Sequence, residues 1–91
     1  MLILVSYDVP DDRRRTKLAH TLKDFGQRVQ YSVFECLLDE DEIARLSARV
    51  AKLTDPAEDS VRFYRLCANC VERIEILGLG KVTEDPDIFL L

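Results

Sequence analysis

Arg28-Val29-Gln30-Tyr31-Ser32-Val33-Phe34-Glu35-Cys36-Leu37-Leu38 is the stretch on which the fold turns. Val29, Tyr31, Val33, Phe34, Cys36 and Leu37 suit a pleated, half-buried surface, so the segment reads as extended chain. It is either one long strand, or a short strand and a longer one joined by a tight turn at Tyr31-Ser32. Apolar periodicity does not separate the two readings.

Upstream, Leu2-Ile3-Leu4-Val5-Ser6-Tyr7 reads as a buried strand that ends on Asp8. A helix is expected from Asp11 to Phe25, with acidic Asp11 and Asp12 in the first turn where the helix dipole favours them. Leu18, Leu22 and Phe25 form its apolar stripe, Ala19 lies at the margin, and Gly26 stands where a left-handed C-terminal cap is wanted. At 100° per residue, Arg14 and Arg15 lean toward the strand ends near Asp8. Arg13, Lys17, His20 and Lys23 point away.

Downstream, Asp39-Glu40-Asp41-Glu42 opens a second helix with capping-box spacing between Asp39 and Glu42, and Ile43, Leu46, Val50 and Leu53 form its inner face. Thr54 to Ser60 is a polar loop. Val61–Cys67 and Glu72–Leu77 read as two more strands, the first with Val61, Phe63 and Arg65 alternating against Arg62, Tyr64 and Leu66. Ile88-Phe89-Leu90-Leu91 places four apolar residues at the terminus, which suits addition to a sheet or core. The order gives an α+β sandwich with helices on one face of a mainly antiparallel sheet. With a hairpin at Tyr31-Ser32, the first four strands take the ferredoxin-like βαββαβ order.

Ninety-one residues make one domain, small enough that a partner would help bury its surface, so a dimer is expected. A hydrophobic content of 47% with 33% charged residues excludes a disordered chain, and no apolar run reaches membrane-span length. Met1 opens straight into the strand, without a secretory n-region, so the cytoplasm is the expected location. The net charge of −4 argues against a general nucleic-acid binder. It is uneven, with six basic against five acidic residues in 1–38 and seven against twelve in 39–91. A polyanion would therefore dock on the N-terminal half, held by a few placed contacts.

Asp8 is the leading chemical candidate. A carboxylate at a strand mouth, followed by Arg13-Arg14-Arg15, can hold a hard cation where phosphates arrive, which points to phosphodiester chemistry. The competing reading has Asp8 capping the helix or pairing with Arg14 or Arg15. One carboxylate is sparse for Mg²⁺, but a two-fold axis near the strand ends would bring two copies together. Arg14, Arg15, Lys17 and Arg28 could grip phosphates. His20 reads as a solvated surface residue. Phe34 reads as core, and Tyr7 is open between core packing and base stacking. Cys36, Cys67 and Cys70 read as buried or partly buried structural thiols. Cys67-Ala68-Asn69-Cys70 has the spacing of a zinc half-site or redox pair, but no second pair accompanies it.

Tyr7-Asp8-Val9, the Arg/Lys-rich helix, Gly26-Gln27-Arg28-Val29-Gln30-Tyr31-Ser32-Val33-Phe34-Glu35, Leu66-Cys67-Ala68-Asn69-Cys70 and Leu77-Gly78 together resemble the CRISPR-associated protein two family. The resemblance implies a ferredoxin-like homodimer with Asp8 and its mate at the interface binding Mg²⁺, or Mn²⁺ in its place. It implies a metal-dependent endonuclease acting on RNA or DNA during acquisition of new spacers. A second implied role is an adaptor, bridging two dimers of the CRISPR-associated integrase, protein one, and holding spacer DNA. By position, Tyr7, Asp8, Arg15, Arg28 and Phe34 match residues implicated in activity. Lys17 stands where some relatives carry Arg and lacks the bidentate fork. The resemblance also favours the hairpin and implies that residues 79–91 pack on the partner subunit.

Overall fold

The computed structural model describes residues 1–83. Its elements are β1 (Leu2–Asp8), α1 (Asp12–Lys23), β2 (Gln27–Gln30), β3 (Val33–Leu37), α2 (Glu40–Leu53), β4 (Ser60–Leu66) and α3 (Ala68–Glu72). The extended segment is a hairpin, with Tyr31 and Ser32 at its turn. The sheet order is β2-β3-β1-β4 with every pair antiparallel, which is the ferredoxin-like arrangement expected from the βαββαβ order.

Strand alternation divides the sheet into two faces. Ile3, Val5 and Tyr7 of β1 stand beside Phe34 and Cys36 of β3 and pack with Leu18 and Leu22 of α1 and Ile43, Leu46 and Val50 of α2. Leu4, Ser6 and Asp8 lie on the opposite, open face, with Val33, Glu35 and Leu37 from β3 and Ser60, Arg62, Tyr64 and Leu66 from β4. Phe25 and Phe63 border the core half-buried, whereas Leu53 at the end of α2 is half-exposed.

Local chemistry sets the helix starts. Asp11 caps α1 by accepting the Arg14 N–H at 2.9 Å. Asp39 and Glu42 make a reciprocal capping box on α2, at 2.8 and 3.1 Å.

Two expectations are corrected. Gly26 is not a left-handed cap, since among the described residues only Gly78 and Gly80 have positive φ. It is needed for space: a Cβ there would sit 2.5 Å from Cys36 Sγ and would also strike the Glu35 carbonyl. Glu72–Leu77 is not a strand. The chain after β4 closes a helical turn instead, with Val71, Arg73 and Ile74 N–H groups donating to Cys67, Cys70 and Val71 carbonyls. A strand-like sequence needs an adjacent strand to pair with, and local helical bonds have taken these groups. Leu77 and Leu79 are left exposed. Thr83 returns to the sheet, its hydroxyl donating to Glu35 Oε1 at 2.6 Å. The apolar run Ile88–Leu91, and the part of the 79–91 segment beyond Thr83, lie outside the described residues.

Candidate active site

Asp8 ends β1 on the open face, and the buried Val9 that follows turns the chain back into the core, which leaves the carboxylate exposed. Among the described residues no ion pair reaches it. The helix cap is Asp11, so Asp8 is spared both of the structural duties that could have explained it.

Its neighbours come from β4. Ser60 lies directly opposite Asp8, Arg62 opposite Ser6, and Tyr64 opposite Leu4. With Ser6 and Tyr7 they line an open hollow of about 350 Å³. The Arg62 guanidinium donates to Tyr64 Oη at 3.3 Å, a contact that raises its pKa and ties together two residues that line the hollow. Sequence reasoning missed Ser60, Arg62 and Tyr64 as site residues. Their alternation was visible, but nothing local says which strand lies beside β1.

Arg14 and Arg15 do not pair with Asp8. Arg14 forks onto Asp59, at 2.9 and 3.2 Å, and reaches Glu58 at 2.9 Å. The guanidinium, helped by the Asp55 N–H, holds the Asp59 carboxyl below the usual range. Asp59 immediately precedes Ser60, so this bond fixes the start of β4 next to Asp8. Arg15 donates to the Val9 and Pro10 carbonyls at 2.9 and 3.3 Å and to the Asp12 carboxylate. It braces the loop that follows Asp8 while keeping its charge.

Arg28 lies on the other face, opposite Phe34, with its guanidinium carbon 5.3 Å from the ring centroid. A second hollow of about 250 Å³, between α1 and the hairpin, is lined by Tyr7, Arg15, His20, Lys23, Arg28 and Tyr31, with Thr16 and Ala19. Among the described residues no carboxylate lines it. His20 and Lys23, expected to point away, border this hollow because the hairpin extends along the flank of α1. Phe34 is fully buried, as its core reading requires, and Tyr7 is 5% exposed. Their rings stack at 6.3 Å, and Tyr7 Oη donates to the Tyr31 carbonyl at 3.5 Å. Lys17 is exposed and lines neither hollow.

Asp8 and the hydroxyls of Ser6 and Ser60 are hard oxygen donors of the kind Mg²⁺ or Mn²⁺ accepts. Among the described residues no three His, Cys, Asp or Glu side chains gather to hold a metal. One copy thus offers one carboxylate and two hydroxyls, donors of the right kind for a hard divalent cation but sparse in number. The cysteine expectation is partly overturned: Cys36 is buried, but Cys67 and Cys70 are both exposed.

Residues 1–74 match the sequence model of the family described as CRISPR associated protein Cas2. The chain belongs to that family. The CRISPR-associated endoribonuclease Cas2 3 of Chloroflexus aurantiacus is 45% identical over 91 residues, covering 100% of this chain and 98% of its own. Among solved structures, Streptococcus pyogenes Cas2 at pH 6.5 aligns with a TM-score of 0.76 at 40% identity, covering 86% of this chain and all of that one. A chain from a partial Cas6-RT-Cas1–Cas2 complex aligns with a TM-score of 0.73 at 28% identity, over 84% of this chain and 89% of its own. Among the described residues no helix is long and apolar enough to cross a membrane.

Proposed function

We propose that this Cas2-family chain is a metal-dependent endonuclease of a CRISPR system, cutting RNA as a cytoplasmic homodimer, with Asp8 as its metal-binding residue. The observation that carries the reading is the Asp8 carboxylate itself, exposed at the end of a central strand and free of any ion pair among the described residues. The Chloroflexus relative is named an endoribonuclease, which supports RNA as the polymer.

The open face supports the dimer. Leu4, Val33, Leu37 and Leu66 are only half-buried there, although the helices cover the other face. A second copy set against this face on a two-fold axis at the Asp8 end would bring two carboxylates to one place. A Mg²⁺ or Mn²⁺ held between them would neutralise phosphate charge and make a bound water nucleophilic. The chain's own residues do the rest. Arg62 offers its cation to the phosphoryl oxygens beside Asp8, and Arg28 and Lys23 take flanking phosphates in the second hollow. Tyr7 walls both hollows, so a flexible strand rounding that edge meets cations on each side. Arg15 and Phe34 act as positioning residues, the first for the Asp8 loop and the second for Arg28.

The deciding experiment is Mg²⁺- and Mn²⁺-dependent cleavage of labelled single-stranded RNA and duplex DNA by wild type and Asp8→Asn. We expect RNA cleavage by the wild type, background cleavage by the variant, and equal thermal stability. The likeness to a chain of the Cas1–Cas2 complex favours a second reading, an adaptor that bridges integrase dimers. An intact wild-type dimer that cuts neither polymer yet binds the integrase would replace the first reading with the second.

A further inference from the structure

Cys67 and Cys70 belong to neither hollow and stand at the junction where β4 passes into α3. Their sulfurs are 3.4 Å apart and share a hydrogen bond, and both residues are exposed. Exposure removes core packing as their explanation. The Cys67 side chain makes no helix-cap bond either, although it occupies the cap position. A metal needs further ligands, and among the described residues none gather there. What remains is a pair of accessible thiols already at contact distance, in a C-x-x-C arrangement.

We propose that Cys67 and Cys70 form a redox-active dithiol that exchanges with low-molecular-weight disulfides such as oxidised glutathione and closes to an intramolecular disulfide. Cys67 is the attacking residue. Cys67 Sγ lies in contact with Cys70 Sγ beside the first turn of α3, where the nearby backbone N–H groups and the second thiol favour its thiolate and lower the Cys67 pKa, while the same thiol contact raises that of Cys70. The Cys67 thiolate attacks one sulfur of the small disulfide, forms a mixed disulfide and expels one small thiolate. Cys70 then loses its proton and attacks Cys67 Sγ, expelling the second. The two protein thiols have then lost two electrons and two protons, and the small disulfide has been reduced to two thiols.

The bond would tie the first turn of α3 to the end of β4, at the point from which the chain departs toward Thr83. Thr83 is the strap over the hairpin, since its hydroxyl donates to Glu35 and accepts from Gln27 Nε2 at 2.6 Å. Oxidation would thus fix the direction in which the segment after β4 leaves the open face. Cys36 is an internal control, because burial pushes its thiol up to about 11.

The test is equilibration of the full-length protein in glutathione buffers of graded redox ratio, followed by acid quenching, alkylation and peptide mass mapping. We expect the Cys67–Cys70 peptide to lose two hydrogens and regain them on reduction, with Cys36 reduced throughout. In the folded protein Cys67 should alkylate far faster than Cys36, which is fully buried and whose thiol is pushed up by that burial. Cys70→Ser should accumulate a mixed disulfide at Cys67, and Cys67→Ser should form none at Cys70. Two thiols that stay fully alkylatable in the most oxidising buffer would overturn the proposal. So would stoichiometric zinc that shields both cysteines in protein purified without chelator.

Discussion

Truncation of Phe34 separates catalysis from architecture at a position that the family resemblance associates with activity. The ring is fully buried, packed beside Tyr7 and beneath Arg28. Phe34→Ala removes it from the centre of the core, and such a change costs about 3–5 kcal/mol in transfer energy and cavity. A chain of 91 residues has about 5–14 kcal/mol of stability to lose. With a urea slope of about 1 kcal/mol per M, the midpoint should fall by about 3–5 M, which leaves a population unfolded at assay temperature if the stability lies near the lower end of that range. Phe34→Leu keeps most of the volume, costs about 1–1.5 kcal/mol and leaves the protein folded. Its direct effect on chemistry is loss of the stacking that orients Arg28, worth about 0.5–1 kcal/mol, or roughly a two- to fivefold slower kcat/KM. The assay pairs urea denaturation with cleavage of a labelled RNA, normalised to the folded fraction. A folded Phe34→Leu that is slowed by more than about a hundredfold would refute this reasoning, because such a loss requires an interaction made with the reacting substrate.

Asp59 makes the acid limb of the stability curve. Its folded pKa lies below its unfolded value because Arg14 and the Asp55 N–H favour the carboxylate, so its stabilisation is full above about pH 4 and is lost as pH falls through the folded value. Asp59→Asn should flatten the fall in urea midpoint between about pH 5 and pH 2, and an unchanged slope would dissociate this pair from acid unfolding. Gly26→Ala should destabilise by about 1–3 kcal/mol, since the added Cβ meets backbone as well as Cys36 Sγ. An unchanged thermal midpoint would show that the strand relaxes at no cost.

Where the signal was local, the sequence was legible. Asp11, Asp39 and Glu42 announce helix starts because a cap bond spans only three residues, and the apolar stripes of α1 and α2 follow from helical period. Tyr31-Ser32 sat at the limit: strand propensity continues through it, and only pairing of Arg28 with Phe34 across the turn makes the hairpin. Non-local facts were out of reach. Glu72–Leu77 has strand composition but gains no partner strand among the described residues, and Gly26 resembles a cap by position while its necessity comes from Cys36 ten residues on. Arg14 looked available to phosphate, yet its partners Glu58 and Asp59 lie more than forty residues away. Asp8 marks the candidate site in the sequence, but the arginine that lines its hollow, Arg62, enters through β4.

The division of charge between the two faces explains how an acidic chain could handle a polyanion. With a net charge of −4 there is no long-range field to collect nucleic acid, so affinity must come from placed contacts. The arginines nearest Asp8 in sequence are spent on structure: Arg14 anchors the start of β4, and Arg15 braces the loop. That commitment is useful, because a carboxylate flanked by two mobile guanidinium groups would be neutralised by them. Arg62, held by Tyr64, forms no ion pair with Asp8 among the described residues, and Arg28 and Lys23 line the other hollow that Tyr7 borders. Each chain thereby presents an unneutralised acid with its cations at a distance. In the proposed dimer that arrangement is half of a cation site, and the second copy would supply the other carboxylate.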